Sequence, residues 1–252
     1  MTSTPIHSPG RVVGVIPARL ASTRLPRKVL RELLGEPLLA WVYRAAKSCP
    51  ELDEVIVAAD SEEVAQLCKK HGWPCILTSP DLPSGTDRLY AVSREIDAAI
   101  YVNIQGDEPL LTPDHFTPML QLFERPEVQV ATLAVRCPPH DINNPSAVKV
   151  VTASDDRALY FSRATIPHDR DNTGFAGYRK HLGVYAYRNA ALQKFAALPP
   201  SRLEQVERLE QLRLLDNGID IYVAPAPSDT IGVDTEEDLR AAEAILAARP
   251  IA

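Results

Sequence analysis

Apolar runs of strand length alternate with segments of helical period through the first half of the chain, which predicts βαβ units and a parallel sheet. Strands are expected at Val12–Ile16, Val55–Ala59, Cys75–Leu77, Ile100–Ile104 and Val128–Val135, with helices at Leu38–Ser48, Glu62–His71, Thr86–Ile96 and Pro113–Phe123 between them. After Arg136 the pattern changes to a loop, CPPHDINNP, a strand, AVKVVTA, a polar stretch from His168 to Gly177 and another strand, HLGVYAY. Ser201–Asn217 reads as one amphipathic helix with the stripe Leu203, Val206, Leu209, Leu212 and Leu215, an Glu204 to Arg208 pair, and an Asn217-Gly218 stop. Ile219–Val223 followed by Glu236–Ala248 reads as a return to the main sheet, so residues 1–252 form one domain and 138–218 an inserted lobe.

Composition narrows the partner more than the fold. Of 252 residues 45% are hydrophobic and 24% charged, and the net charge of -6 argues against a nucleic-acid backbone as partner. No apolar run is long enough to span a membrane, and the polar start MTSTPIHSPG, before a short run broken by Pro17, is not a secretory leader. Cys49, Cys68, Cys75 and Cys137 form no CxxC pair, so reduced thiols in a cytoplasmic protein are expected rather than a zinc site or disulfide framework.

Against that acidic background, Arg19, Arg24, Arg27, Lys28 and Arg31 crowd the segment after the first strand. A polyphosphate gripped at a strand's carboxyl end is one reading; a solvated basic loop is the other. Walker A, GxGxxG and GxSxG patterns are all absent, which removes kinase-type, dinucleotide-binding and serine-hydrolase readings. Ala21-Ser22 supplies small residues where amides approach phosphate, and Arg19 and Lys28 suit its charge. In NIQGDEP, Asp107 is either a hard ligand for Mg²⁺ or part of a tight turn. In IGVDTEEDL, Thr235 with Asp238 makes a helix cap that leaves Asp234 over, and Asp234 is expected to end a strand as Asp107 does. Two such carboxylates beside a triphosphate suit nucleotidyl transfer.

ARLASTRLPRK, SGTDRL, VNIQGDEP, NPSAVKVV, ALYFSRATIPHDRD, HLGVYAYR, LEQLR and GVDTEEDL, in this order from Val12 to Leu246, resemble the 3-deoxy-manno-octulosonate (Kdo) cytidylyltransferases, the CMP-Kdo synthetases. The resemblance implies an α/β, Rossmann-like, mostly parallel sheet with helices on both faces, a smaller sugar-binding lobe, a homodimer, and CTP, Kdo and Mg²⁺ as reactants and cofactor in lipopolysaccharide synthesis. It implies that Arg19, Ser22 and Lys28 hold the triphosphate, that Ser84, Arg88 and Gln105 line the cytidine side, and that Asp107 and Asp234 bind Mg²⁺, with Arg19, Lys28 and Asp107 catalytic. Arg163, His181, Tyr185, Glu210 and Gln211 would meet the sugar. Arg27 stands where the family has glycine, and Leu20 and His168 where it has aromatics; the Arg170–Arg179 segment is short. An 8-amino-Kdo or sialic-acid enzyme and a non-catalytic nucleotide-binding module are the rival readings.

Overall fold

The computed structural model describes residues 10–22 and 24–248. The polar start before Gly10, and Thr23 within the basic loop, lie outside the described residues. The chain runs β1 (Val12–Ala18), β2 (Glu32–Leu33), β3 (Glu36–Pro37), α1 (Leu38–Lys47), β4 (Glu54–Ala59), α2 (Glu62–His71), β5 (Cys75–Leu77) and α3 (Gly85–Ser93). It continues through β6 (Ile100–Asn103), α4 (Pro113–Gln121), β7 (Val130–Arg136), β8 (Lys149–Thr152), β9 (Ala158–Ser162) and β10 (Arg179–Arg188). It ends with α5 (Asn189–Ala197), α6 (Arg202–Glu207), α7 (Leu212–Asp216), β11 (Ile221–Pro225) and α8 (Glu236–Ala247). No helix among the described residues is long and apolar enough to cross a membrane.

The main sheet has the order β11-β7-β10-β6-β1-β4-β5, with β8 and β9 extending from β10. β1 pairs in parallel with both β4 and β6, and every residue of it is buried, as expected of a central strand covered on both faces. One apolar cluster joins α1, α2, α4 and α8 to the sheet, and a second joins α3, α5 and α7 to its other face. Local signals set many of the helix ends. Ser61 caps the start of α2 through its hydroxyl, and Gly72 ends it in the left-handed conformation. Thr235 and Asp238 form the expected capping box of α8.

Three expectations change. HLGVYAY is not peripheral: β10 lies antiparallel between β6 and β7, so the stretch 138–218 is divided between the main sheet and the β8–β9 extension. Leu182, Val184 and Ala186 pack on one face of the sheet while Tyr185 and Tyr187 pack on the other, which is the burial of an interior strand. Asp234 ends no strand, because β11 stops at Pro225 and an irregular segment carries the chain on to the α8 cap.

Ser201–Asn217 is broken rather than continuous. Arg208 adopts φ 55°, Leu209 turns into the second apolar cluster, and Val206 is left 77% exposed. Glu204 pairs not with Arg208 but across the break with Arg213, Oε1 to Nη2 at 2.6 Å and Oε2 to Nε at 2.8 Å. This two-point contact, nearly buried, holds α6 against α7 where a straight helix would have placed a solvent-facing pair.

Candidate functional site

Three loops meet at the carboxyl end of β1. Gly106 brings the loop after β6 against β1 so closely that a Cβ there would lie 2.7 Å from Pro17 O. Asp107 O then accepts from Val233 N at 2.8 Å, which ties this loop to the one before α8. The tie sets Asp107 and Asp234 on either side of Lys28 Nζ, which contacts Asp107 Oδ2 and, at 2.8 Å, Asp234 Oδ1. Burial works against the Lys28 ammonium, yet the two carboxylates outweigh it and raise its pKa. Arg24 completes the group, its Nη2 2.7 Å from Asp234 Oδ2.

A cavity of about 280 Å³ opens over this group, lined by Arg19, Ala21, Ser22, Arg24, Lys28, Gly85, Gln105 and both aspartates. The basic segment is therefore neither wholly clamp nor wholly solvated. Arg27 and Arg31 turn away, to Glu63 on α2 and to Glu236 on α8. Arg24 is a lining residue that the motif reading left out, although its place among the crowded cations was visible.

A second cavity of about 320 Å³ adjoins the first through Gln105, which lines both. Its walls include Thr86, Asn103, Lys180, His181, Tyr185, Glu210 and Gln211. Asn103 Oδ1, Glu210 Oε1 and Gln211 Nε2 are buried there without a hydrogen-bond partner. Orphaned buried polar atoms are costly, and several around one cavity mark a site built for a ligand rich in hydroxyls. Burial raises the Glu210 pKa, while Thr86 Oγ1 donates to its other oxygen at 2.7 Å. Beside Asp107, the fully buried Glu108 is pushed up to about 7, first by burial and then by that neighbour, and Thr230 Oγ1 donates to it at 2.9 Å.

His181 and Tyr185 stand on the same face of β10, their ring centroids 5.3 Å apart. Burial alone pushes the His181 pKa down to about 3, so it is neutral in the fold but binds a proton below about 6.5 when unfolded. Its contribution is thus complete above pH 6.5 and is lost as the pH falls from there toward 3. His181→Gln is expected to flatten the fall in stability between pH 6.5 and 4, where the wild-type histidine contributes up to about 1.4 kcal/mol per pH unit. Denaturant midpoints of both proteins across that range check this; parallel curves would refute the neutral, buried histidine.

Three expected site residues are elsewhere. Arg163 lines neither cavity: its Nε donates to Glu207 O at 2.8 Å and its Nη1 to Pro145 O at 3.0 Å, bracing the end of α6. The cation in the second cavity is instead Lys180, held by Asp141 at 2.9 Å and Asp229 at 3.0 Å, which sequence reasoning missed. Arg88 is fully buried and donates to Thr78 Oγ1 (2.7 Å) and Ser79 O (2.9 Å), so it shapes the loop leading into α3 rather than the cavity wall. Ser84 serves as the N-cap of α3, bonded to Asp87, and the adjacent Gly85 faces the cavity in its place.

The cytidylyltransferase family model matches residues 13–221. A 3-deoxy-manno-octulosonate cytidylyltransferase of Acidobacterium capsulatum is 67% identical over 238 residues, covering 94% of this chain and 97% of that protein. This chain belongs to the 3-deoxy-manno-octulosonate cytidylyltransferase family. A second such cytidylyltransferase, from Koribacter versatilis, is 56% identical, covering 95% of this chain and 91% of its own. The solved structure of a CMP:2-keto-3-deoxy-manno-octonic acid synthetase complexed with CTP superposes with a TM-score of 0.90 at 43% identity, covering 94% of this chain and 98% of that one.

As a cytidylyltransferase, the chain keeps the left-handed backbone at its unusual Arg27, φ 57° and ψ 32°, in the conformation that a glycine there would adopt freely. Its amide closes the loop onto Leu20 O at 3.2 Å. Leu20 packs against the main apolar cluster and donates its amide to Asp60, while His168 is exposed. The departures from the motif pattern leave the two aspartates and Lys28 in place.

Proposed function

We propose that this cytidylyltransferase transfers CMP from CTP to Kdo and releases pyrophosphate. The observation that carries the reading is the pair of cavities joined at Gln105, one cationic with two carboxylates, the other lined by unpaired buried polar groups. Arg19, Arg24, Lys28 and Ser22 bind the triphosphate, the arginines through their forked donors and Lys28 as a point charge. The buried oxygens and amides of Asn103, Glu210 and Gln211 take the sugar hydroxyls, and Lys180 faces its carboxylate. Gln105, between the two, lies where the anomeric hydroxyl meets the α-phosphorus.

Among the described residues no cluster of three or more His, Cys, Asp and Glu side chains gathers to enclose a metal. Two carboxylates converging on one cation beside a phosphate cavity nonetheless suit Mg²⁺, which takes one or two carboxylates and completes its shell with phosphate oxygens and water. Asp107 and Asp234 would hold it. When bound, Mg²⁺ supplies charge neutralisation on the phosphates and lowers the pKa of the attacking hydroxyl. Lys28, in releasing the carboxylates, becomes free to reach phosphate.

A homodimer fits the surface of the β8–β9 extension. Among the described residues β9 pairs as a strand with β8 alone, beyond an isolated bridge from the preceding Arg157 to Tyr222, and it exposes Leu159, while α6, joined to it by Ser162 and Glu207, exposes Leu203 and Val206. An open strand edge beside apolar side chains is a face that a second copy covers.

The test is pyrophosphate release from CTP and Mg²⁺ with Kdo, 8-amino-Kdo, sialic acid or no sugar. Release dependent on Kdo is expected. Preference for the amino sugar would keep the mechanism and move the substrate, and silence with every sugar from a folded protein would sink the reading.

A further inference from the structure

The stretch NPSAVKVV, residues 144–151, leads into β8, and its Lys149 is fully buried. The Lys149 ammonium donates to Asn144 O at 2.7 Å and to Ala147 O, and among the described residues it bonds no carboxylate. Carbonyls compensate a buried charge only in part, and burial lowers the Lys149 pKa. A methionine would fill the same space without that cost, so the use of the ammonium lies in what it holds.

It holds a strap, residues 142–148, whose carbonyls are taken by side chains from outside it. Ile142 O accepts from Thr165 Oγ1 at 2.9 Å, Pro145 O from Arg163 Nη1 at 3.0 Å, and Asn144 O and Ala147 O from Lys149. Within the strap, Ala147 N donates to Asn144 O at 3.1 Å and Ser146 N to Asn144 Oδ1 at 2.9 Å. Ser146, Ala147 and Val148 line the second cavity, and Val148 O accepts from His181 N at 2.9 Å, which seats the strap beside the histidine of that cavity. Asn144 Nδ2 donates to Asp141 Oδ1 at 3.0 Å, and the other oxygen of Asp141 holds Lys180. Lys149 and Lys180 are opposite each other where β8 pairs with β10, so both side chains leave the ribbon on one face. We propose that Lys149 is a positioning residue for the sugar: its ammonium fixes the strap as one wall of the second cavity and, through Asn144 and Asp141, fixes Lys180 within it.

This inference rests on the reading of the second cavity as the sugar site. Lys149 lines neither cavity, so it acts on the sugar through the strap alone. The first cavity takes its walls from the loops after β1 and β6, the start of α3 and the loop before α8, with no residue of the strap among them. Loss of the ammonium therefore leaves two strap carbonyls without that donor and loosens the sugar half of the site, while the triphosphate half keeps its geometry.

Initial rates of pyrophosphate release are measured for the full-length wild type, Lys149→Met and Asn144→Ala over a grid of CTP and acid-sugar concentrations with Mg²⁺, using the sugar that the wild type turns over. Lys149→Met is expected to raise KM for the sugar about tenfold and to leave KM for CTP within about twofold of wild type. Asn144→Ala cuts the link to Asp141 with Lys149 in place, and the same one-sided rise of about threefold is expected. Hydrogen exchange of peptides covering residues 141–148 should quicken in Lys149→Met, while that of residues 15–22 stays as in wild type. An unchanged KM for the sugar, or equal rises in both KM values, would overturn the inference and leave the proposed activity standing. A folded wild type that releases no pyrophosphate with any of the sugars would sink the proposed activity and this inference with it. If Lys149→Met fails to fold, Asn144→Ala decides: a rise in KM for the sugar alone sustains the inference, and wild-type KM values overturn it.

Discussion

Asp107→Asn is expected to purify as a folded protein and to lose about a thousandfold in kcat for pyrophosphate release, in the upper range for removing one preorganised electrostatic contact to a transition state. The amide keeps the size of the side chain and leaves the backbone bond from Val233 N to residue 107 untouched. What disappears is one of the two charges that meet at Lys28. Lys28 retains Asp234, so the stability change should remain near about 1 kcal/mol, the scale of a partly exposed ion pair. Thermal denaturation and steady-state kinetics with CTP and Mg²⁺ separate the two effects. Near-normal kcat would remove Asp107 from the reaction, whereas a collapsed thermal midpoint would make it a structural residue.

How much of this was legible in the sequence depended on whether the signal was local. α2 ran where periodicity placed it, from Glu62 to His71, because Ser61 and Gly72 punctuate both ends. β10 shows the limit of such reading. Its apolar run identified a strand, but only long-range pairing with β6 and β7 puts that strand in the middle of the sheet. The break at Arg208 had no glycine to announce it; it follows from Leu209 entering the second cluster and from Arg213 reaching Glu204.

The site divides the same way. Asp107 was legible as either a metal ligand or a turn residue and Asp234 as the carboxylate that a helix cap leaves over, and the geometry brings them together, although Asp234 arrives on a loop rather than at a strand end. Glu210, Gln211 and Tyr185 came from family resemblance alone, since a polar residue in the turn between α6 and α7, or a tyrosine on a strand, carries no sign of the cavity that it faces. Lys180 was missed for a related reason. Its neighbours Asp141 and Asp229 are 39 and 49 residues away in sequence, so nothing near it marks a partly buried, paired cation.

Gly106→Ala carries the second large effect, and it reaches the chemistry without touching a charge. Glycine is needed at 106 for space rather than for a positive φ: a methyl group would lie 2.7 Å from Pro17 O, 3.5 Å from Ile16 Cγ2 and 3.6 Å from Val29 Cγ1. The carbonyl cannot retreat cheaply, because Pro17 and Ala18 are in register with Ala58 and Ala59, and Ala18 O accepts from Asp60 N at 3.2 Å. The loop after β6 must move outward instead, taking Asp107 with it and straining the bond to Val233. A displacement of the order of 1 Å at a reacting centre costs about a hundredfold in rate, and forcing a methyl into a packed contact costs about 1–3 kcal/mol. The variant should therefore show a lowered thermal midpoint together with a fall of about a hundredfold in kcat/KM for CTP, and excess Mg²⁺ should not restore it because both carboxylates remain. Wild-type kinetics and midpoint in Gly106→Ala would mean that the approach of this loop to β1 does not set the position of Asp107.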